Sequence, residues 1–581
     1  MKKKTKIMSA IMAGAMSLCL IGCGGGGNNS TGGKPSGGGD NKNKTTVNLW
    51  QYIGCSGEEW SKAAIERFEE ANKDVVYEEG KKGVHIERTY DKTPQLTDLT
   101  YDVYVLESVA DIYSLSAQGK ILDLTDLFEG TNGYEAVGKK VKNEMLDGLK
   151  GVDSNGKEGY YALPWYEWYP GITYDVDYFD KNDLYFANST EGATPYATDY
   201  GTAYLLGTNT AKSVGPDGKA GTYDDGLPSS VEEFLQLCAV IKSKGFDPIV
   251  IGGGVKDYSF YLVEAIWASL SGADEIQTIY SMDSKGKEIE VVKRDDGGNF
   301  VFKNESLYPN AKNEKVKAIK VPETEKVVIT SANANRIYDM ASRYYALSVL
   351  EVLCREKWYN DMVYKNTSFL NTQTQQAFYF GQTGTNAAML YDASFWYSEA
   401  VRAGTVEKYK KLHRGEEERK VSYMPMPTQL KGSVAENQGK KNTLLDVGNS
   451  LMFVSSKITS EGVRKAAKDF LAFLYSDAEL KAFTENEGLL IPIKEELNYY
   501  DKTKLFGLGD YYSRMDTIRN ASDIVYYSTT SEMVRGHKVD YNLLWSGPIN
   551  FPEINGTNQY YMVAINSYGA TTAEIFTKTK K

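Results

Sequence analysis

The chain contains few of the residues on which much enzyme chemistry depends. Histidine occurs only three times in 581 residues, at His85, His413 and His537. So small a number argues against a histidine-based catalytic triad or a histidine-ligated metal centre. After the N-terminus, the chain also lacks any run of the ~20 apolar residues that a transmembrane helix requires. We therefore expect the body of the protein to lie outside the membrane.

Cysteine is equally scarce, and its spacing excludes two structural roles. Apart from Cys19 and Cys23 near the N-terminus, the cysteines are Cys55, Cys238 and Cys354. They are far apart and odd in number, so neither a disulfide framework nor a zinc-ligand spacing is present. Cys238 and Cys354 lie in apolar patterns with helical spacing, which predicts buried small hydrophobic side chains.

Charge and length set further bounds. The formal net charge is −11, and four lysines of the chain lie within its first six residues. An acidic body argues against nucleic acid as a partner. About 540 residues follow the N-terminal segments, which is too many for one compact core, so two or more lobes are expected.

Aromatic residues are abundant, with 43 tyrosines. Flat rings with a polar tip suit surfaces that hold an amphipathic partner. A pyranose sugar is such a partner, because its faces carry C–H bonds and its edge carries hydroxyls. Many of these tyrosines will be ordinary core or surface residues, so the count suggests a carbohydrate ligand without locating its site.

The N-terminus has the anatomy of an export signal. A short cationic segment is followed by an apolar run, Ile7 to Ile21, and residues 1–22 are predicted to be a secretory signal peptide. The run ends in Leu-Ile-Gly-Cys23, which resembles the bacterial lipobox and implies a lipid on the Cys23 thiol. An ordinary signal peptide with an incidental cysteine is the alternative. Residues 23–44 are rich in Gly, Asn and Ser, which predicts a flexible tether. The lipid implied by the resemblance would anchor this tether at the outer face of the cell membrane.

Strands and helices alternate after the tether. Period-two alternation predicts strands over residues 46–52, 84–88 and 101–106, and helical spacing predicts a helix over residues 58–72. This order indicates a parallel α/β sheet. Ligands of such sheets bind beyond the carboxyl ends of the strands. Tyr52 and Glu107 would lie at that edge.

Short motifs follow one another in a specific order along the rest of the chain. They are Ala162–Pro164, Gly226–Phe234, Gly384–Phe395, Met424–Pro427, Ala466–Asp477 and Gly488–Pro492. In this order and behind a lipobox, they resemble the extracellular sugar-binding proteins of ABC importers, the family that includes maltose-binding protein. The pattern departs from the family at Ala393 and Ser394, where Gly-Pro is usual, and residues 498–581 match only loosely.

The resemblance implies an α/β, two-lobe periplasmic-binding-protein-like fold with a hinge and an interlobe ligand cleft. The N-terminal lobe would hold residues 45–161 and 451–492, and the C-terminal lobe residues 162–450 and 493–581. A ligand that touches both lobes would stabilise their closed arrangement. The charged, turn-rich stretch 281–326 is predicted to be an insertion or a peripheral hairpin.

Aromatic candidates for the cleft come from two places. Trp165, Tyr166 and Trp168 lie where the chain first crosses between the lobes, and such rings can stack on a sugar face. Alternation puts Trp165 on the side opposite Tyr166 and Trp168, so not all three can face the ligand. Their alternative role is packing within the second lobe. Phe395 and Trp396 open a helix at the cleft in the family pattern, or else anchor that helix in the core.

Polar candidates complete the predicted site. Glu107 and Glu167 are the preferred acceptors, because a charged acceptor strengthens a hydrogen bond about twofold. Both could instead be solvated loop charges. Asp392 could accept sugar hydroxyls or cap the helix that follows it. Asn449, beside the second crossing, and Trp545, in the tail, are further candidates.

A separate acidic loop precedes the helix near residue 231. Asp217, Asp224 and Asp225, with backbone carbonyls, could wrap a calcium ion, which takes six to eight oxygen ligands. The loop lacks the full EF-hand pattern and its terminal glutamate. An ordinary turn before the helix is the alternative. No other cofactor is expected.

The leading functional hypothesis is a monomeric, lipid-anchored substrate-binding protein without catalytic activity. It would capture a carbohydrate, with an oligosaccharide preferred, and hand it to the permease subunits of an ABC importer. One alternative is a surface glycoside hydrolase, which needs two carboxylates ~5 Å or ~6.5–9.5 Å apart and a raised pKa on one of them. A receptor for a non-sugar solute is another. An adhesin would show repeats or an all-β pattern, and neither is present.

Overall fold

The computed structural model describes twelve stretches of the chain. They are residues 41–54, 56–90, 96–107, 112–252, 258–360, 371–380, 386–413, 419–430, 441–447, 450–494, 509–526 and 561–578. Strands β1 to β19 are, in chain order, Thr45–Gln51, Val84–Thr89, Val103–Leu106, Lys150–Val152, Glu158–Tyr160, Leu163–Pro164, Pro170–Asp175, Thr194–Thr198, Gly201–Leu205, Asp247–Ile251, Glu288–Val292, Phe302–Ser306, Lys320–Pro322, Thr324–Val328, Ala387–Ala393, Val421–Met424, Thr443–Asp446, Leu451–Val454 and Asp523–Tyr526. Helices α1 to α18 are Glu59–Ala71, Ile112–Ala117, Thr125–Glu129, Asn143–Leu146, Val176–Lys181, Val231–Ser243, Tyr258–Ser271, Ala273–Ser281, Glu314–Lys317, Ala341–Arg355, Asn371–Phe380, Trp396–Arg402, Thr405–Leu412, Glu461–Leu474, Asp477–Glu487, Gly509–Ala521, Tyr561–Tyr568 and Thr572–Lys578.

A five-stranded sheet forms the centre of the first lobe. Its strand order is β2-β1-β3-β18-β6. β1 pairs in parallel with β2 and β3, as the sequence predicts, whereas β18 is antiparallel to β3 and β6. The direction changes because β18 enters this sheet on the chain's return from the second lobe. Helix α14 packs on β1, and α15 packs on α1.

A four-stranded sheet forms the centre of the second lobe. Its order is β10-β15-β7-β16, with β10 parallel to β15 and β7 antiparallel to both of its neighbours. Every residue of β7 and β15 is buried, as expected for central strands covered on both faces. Helices α6, α7, α11 and α16 pack on this sheet. A short parallel pair, β17 with β19, adds the chain from the tail to this lobe.

Several of the sequence motifs are helix-end signals. Helix α6 begins with a capping box, in which the Ser230 hydroxyl accepts from the Glu233 N–H and the Glu233 carboxylate accepts from the Ser230 N–H. The Ser476 side chain caps α15 by accepting from the Glu479 N–H. That helix ends at Gly488, which has a φ of 61°. Glycine tolerates this left-handed conformation best, so the helix stops there.

The insertion and the tail pack together on helix α10. Strands β11 to β14 form two antiparallel pairs, in agreement with the predicted peripheral hairpin. The ring of Phe300 lies 4.7 Å from that of Phe576 in α18. Arg355 of α10 donates to the carbonyls of Gly569 and Ala570, and Glu351 accepts from the Thr572 N–H at the start of α18. The side chains of Arg355 and Glu351 thus hold the turn between α17 and α18 by hydrogen bonds to its backbone.

Three predictions about segments and single residues can be compared with this fold. β6 belongs to the first sheet, so the first lobe extends to Pro164, whereas the sequence predicts that it ends at Tyr161. Cys238 and Cys354 are buried free thiols, as predicted, and burial raises the pKa of each. Among the described residues, no helix is both long enough and apolar enough to cross a membrane.

Candidate ligand-binding site

The segments that connect the two lobes lie side by side. The first crossing runs from Trp165 to Tyr169, between β6 and β7. The Trp165 N–H donates to the carbonyl of Ser450, 2.9 Å away on the second crossing, which lies between β17 and β18. The Glu167 N–H donates to the carbonyl of Leu490, 3.0 Å away on the third crossing, which follows α15. The three crossings therefore form one hydrogen-bonded hinge region.

Glu107 bridges the first lobe and the first crossing. It follows β3, at the carboxyl edge of the first sheet, where the sequence places it. One carboxylate oxygen accepts from the Tyr166 hydroxyl at 2.5 Å, and the other accepts from the Trp168 indole N–H at 3.1 Å. Hydrogen bonds to an ionised acceptor are among the stronger ones in proteins. The carboxylate is therefore held in a fixed orientation by two aromatic side chains.

A cluster of rings surrounds Trp168. Its ring lies edge-to-face with that of Phe395 at 5.3 Å and with that of Tyr261 at 5.7 Å between centroids. Both geometries fall in the favourable range for aromatic pairs. The backbone N–H of Trp168 donates to the Asp446 carboxylate at 3.2 Å, which connects the same residue to the second crossing. Trp168 thus joins Glu107, the second crossing and the start of α12.

A pair of acidic side chains shares one amide next to this cluster. The Gln375 amide nitrogen donates to Asp392 at 3.0 Å and to Glu399 at 2.8 Å. Gln375 is 1% exposed, and its amide oxygen has no hydrogen-bond partner among the described residues. Burial and the nearby Asp392 charge raise the pKa of the half-buried Glu399 to about 8, although Gln375 and Arg402 act in the opposite direction. Glu399 is therefore largely protonated at neutral pH.

The first crossing also contains a buried ion pair. Glu167 is 1% exposed, and its carboxylate accepts from Arg519 at 2.7 Å and from the Tyr526 hydroxyl at 3.0 Å. Lys142 of the first lobe lies 3.9 Å away. Burial alone would raise the pKa of this carboxyl, but Lys142 and Arg519 outweigh that effect and lower it. Glu167, predicted as a ligand acceptor, is in this structure a hinge residue with protein partners.

Two of the predicted aromatic residues occupy lobe cores. Trp165 is 1% exposed and packs against Trp60 and Phe483 in the first lobe. Trp396 has no exposed surface, and its indole N–H donates to Thr173 at 2.9 Å within the second lobe. Because neither ring offers a surface to a ligand here, we leave both out of the proposed site. Tyr166 and Trp168 share one side and Trp165 takes the other, as alternation predicts.

The remaining predicted residues divide into two groups. Tyr52 is half-buried beyond the end of β1, and its ring folds over Gly54. It stays a candidate. Cys23, Asn449 and Trp545 lie outside the described residues, so their predicted roles stay predictions.

The acidic loop before α6 is held by its own hydrogen bonds. Asp224 is fully buried, and its carboxylate accepts from the Asp217 N–H at 2.9 Å and the Thr222 hydroxyl at 2.7 Å. The Asp225 carboxylate accepts from the Gly221 N–H at 2.7 Å. Burial raises the pKa of Asp224 to about 6. In the described part of the chain, no group of three or more His, Cys, Asp and Glu side chains is arranged to hold a metal ion, and calcium here stays a prediction.

Sequence comparison finds no relative of this chain. No family model matches it, and neither does any curated protein. Solved structures do match. A chitin oligosaccharide binding protein superposes with a TM-score of 0.50 at 14% identity, covering 92% of this chain and 97% of its own. The chain has the two-lobe α/β fold of periplasmic binding proteins.

Two further structures superpose slightly less well. T. maritima MalE3 with bound maltose gives a TM-score of 0.49 at 13% identity, over 92% of this chain and 98% of its own. A probable secreted solute-binding lipoprotein from Streptomyces coelicolor gives 0.49 at 12% identity, over 92% and 97%. At 14% identity, the superposition on the chitin oligosaccharide binding protein establishes the fold of this chain and not its ligand.

Some residues around the cleft were not anticipated from the sequence. They are Tyr261, Gln375, Glu399, Arg402 and Glu487. Glu399 and Arg402 are three residues apart on α12, a spacing that places two side chains on one helix face and could have indicated an interacting pair. Tyr261 and Gln375 gave no local signal, because only the packing of distant helices brings them to the cleft.

Proposed function

We propose that this chain is a lipid-anchored, monomeric solute receptor that captures a carbohydrate between its lobes and delivers it to a membrane permease. The observation that carries the proposal is the fixed Glu107 carboxylate beside Trp168, whose ring packs on that of Phe395. A sugar presents hydroxyls, which an oriented carboxylate can accept, and C–H faces, which rings can cover. The ligand would be an oligosaccharide, since rings and acceptors extend from Glu107 to α12.

Lobe closure would provide the binding signal. Glu107 belongs to the first lobe and Phe395 to the second, so one ligand placed between them touches both lobes. A ligand shifts the equilibrium toward closure when it binds the closed arrangement more tightly than the open one. Lipid on Cys23 would keep the receptor near its permease. The alternative of a freely secreted protein is tested by Cys23→Ser, which should release the chain into the medium.

Hydrolysis is the competing function, and the carboxyl pair next to the cleft bears on it. Asp392 and Glu399 differ in environment, as an acid–base pair requires. However, the Gln375 amide lies between the two carboxyls and hydrogen-bonds to both, so the space that a scissile bond would need is filled. We therefore propose binding without turnover.

The decisive experiment is calorimetry of the mature chain with a panel of glycans, combined with product analysis. We expect saturable one-site binding to at least one glycan and no product. Trp168→Ala should abolish the binding, whereas Trp358→Phe, a change at a ring that packs on Tyr200 away from the cleft, should preserve it. Release of a shortened glycan would contradict the proposal, and so would the absence of binding to every glycan tested.

A further inference from the structure

One helix of the second lobe reaches the first lobe at two points. Arg402, the last residue of α12, donates to a carboxylate oxygen of Glu487 and to the Glu487 carbonyl, both at 3.3 Å. One turn earlier, the Ser398 hydroxyl donates to the carbonyl of Gly488 at 3.1 Å. Glu487 ends α15, which packs on α1 of the first lobe. These contacts therefore cross from one lobe to the other.

The first lobe is built to receive this guanidinium. Glu487 is 2% exposed, and its second carboxylate oxygen accepts from the Trp60 N–H in the first turn of α1 at 3.1 Å. The positive end of a helix stabilises an anion at that position. Gly57, in the loop before α1, has a φ of 67°, and a Cβ atom there would lie 3.3 Å from Cδ and Nε of Arg402. A glycine at this position leaves room for the arginine.

The same arginine has a second acidic neighbour on its own helix. Glu399 precedes Arg402 by three residues, so the two side chains share one face of α12. The Arg402 charge already acts on the Glu399 carboxyl, but the guanidinium is bonded to Glu487. The arginine is therefore bonded to a carboxyl of the opposite lobe and acts electrostatically on a carboxyl of its own lobe.

We propose that Arg402 and Glu487 form a latch between the lobes, and that Arg402 moves to Glu399 when the lobes separate. The exchange keeps the Arg402 guanidinium paired with a carboxylate in both arrangements. With the latch closed, Glu399 keeps its proton next to Asp392. With the latch open, Arg402 neutralises an ionised Glu399, and α1 alone holds Glu487.

The exchange couples closure to a proton. In the closed arrangement, burial and Asp392 raise the pKa of Glu399 to about 8, with Glu107 adding to the rise and Gln375 and Arg402 opposing it. Burial also raises the pKa of Glu487, while Arg402 and the Trp60 N–H lower it and Glu59 raises it. Pairing with Arg402 in the open arrangement returns Glu399 toward its ordinary pKa of 4.5. At Glu399, closure therefore takes up a proton at pH values between about 4.5 and 8.

A ligand-free measurement tests the latch directly. Spin labels at Val76→Cys in the first lobe and Leu412→Cys in the second, both more than 60% exposed, report the distance between lobes. Cys55 is replaced by serine, and Cys238 and Cys354 are buried. We expect Glu487→Gln and Arg402→Met in the mature chain to shift the population toward longer distances. An unchanged distance distribution in both variants would overturn the latch.

A matched control lies on the same helix as Glu487. Glu479 of α15 pairs with Arg67 of α1 through two hydrogen bonds of 2.6 and 2.7 Å, entirely within the first lobe. Glu479→Gln removes a comparable ion pair without touching the interface between the lobes. It should leave the label distances unchanged. A shift equal to that of Glu487→Gln would show that the latch variants act through first-lobe stability.

Proton uptake on closure is tested by ligand binding, and this test rests on the proposed function. Calorimetry near pH 7, in buffers of different ionisation enthalpy, should detect uptake of up to one proton per bound glycan. As pH increases toward 8, the dissociation constant should rise by up to tenfold per pH unit. Glu399→Gln should abolish both effects. Binding without proton uptake in the unmodified chain would contradict the exchange. If no glycan binds, the proposed function fails, while the label distances still decide the latch.

Discussion

Glu167 in the hinge and Glu399 beside the cleft are both shielded carboxyls near basic side chains, and yet their pKa values shift in opposite directions. Glu167 is held between Arg519, Lys142 and the Tyr526 hydroxyl, which lower its pKa despite complete burial. Glu399 faces Asp392 across a shared amide, so burial and a like charge raise its pKa to about 8. Burial therefore does not determine the charge of either group, and the neighbouring charges do.

The two environments suit different tasks. The hinge carboxyl joins the first crossing to Arg519, Tyr526 and Lys142, and these partners lower its pKa. It is therefore ionised, and its charge state does not change over the ordinary pH range. The cleft carboxyl titrates near neutral pH, next to an arginine that has an alternative partner. The first arrangement fixes the geometry of the lobes, and the second can respond to their separation.

Glu167→Gln should produce the largest loss of stability among the changes considered. It removes the negative charge opposite Arg519 and leaves that cation buried, and breaking such a pair costs about 3–5 kcal/mol. Urea-induced unfolding at pH 7 measures the loss. In the double variant Glu167→Leu/Arg519→Leu, no charge of the pair is left buried, so much of the loss should be recovered. A single-variant loss below about 1 kcal/mol would show that the pair is solvated in solution.

Trp168→Phe should have an intermediate effect, expressed mainly in binding. The ring stays, but the indole N–H that orients Glu107 at 3.1 Å is lost. A hydrogen bond to a charged group contributes about 1.5–3 kcal/mol, so glycan affinity should fall by roughly tenfold or more. Titration calorimetry measures this change. Trp396→Phe loses an equivalent indole bond to Thr173 in the lobe core and should lower stability alone. Equal losses of affinity in the two variants would remove Glu107 from the site.

The sequence predicts the fold better than it predicts the partners of the charged residues. Amphipathic spacing and caps such as Ser230 with Glu233 act within one turn, so helices and strands could be located from local patterns. Glu107 could be identified because it ends a strand of a parallel sheet. The role of Glu167 could not, because Arg519 and Tyr526 follow it by 352 and 359 residues, in a part of the chain that resembles the family only loosely. A carboxylate beside three aromatic residues looks the same in the sequence whether it faces a ligand or an arginine.

Glu399→Gln should have the smallest effect, and its sign distinguishes the two carboxyls. Because the pKa of Glu399 in the folded chain, about 8, lies above the ordinary value of 4.5, stability falls as pH rises from about 5 and levels off above pH 8. The glutamine variant has no proton to lose. It should match the unmodified chain near pH 5 and exceed it at pH 8.5 by on the order of 1 kcal/mol, after allowance for partial exposure. Urea-induced unfolding at both pH values measures the difference.

Glu407→Gln, at an exposed pair with Lys411, serves as the control and should leave the pH dependence unchanged. Parallel pH profiles for Glu399→Gln and the unmodified chain would mean that Asp392 and Gln375 do not hold a proton on Glu399, and the cleft carboxyl would then resemble the hinge carboxyl.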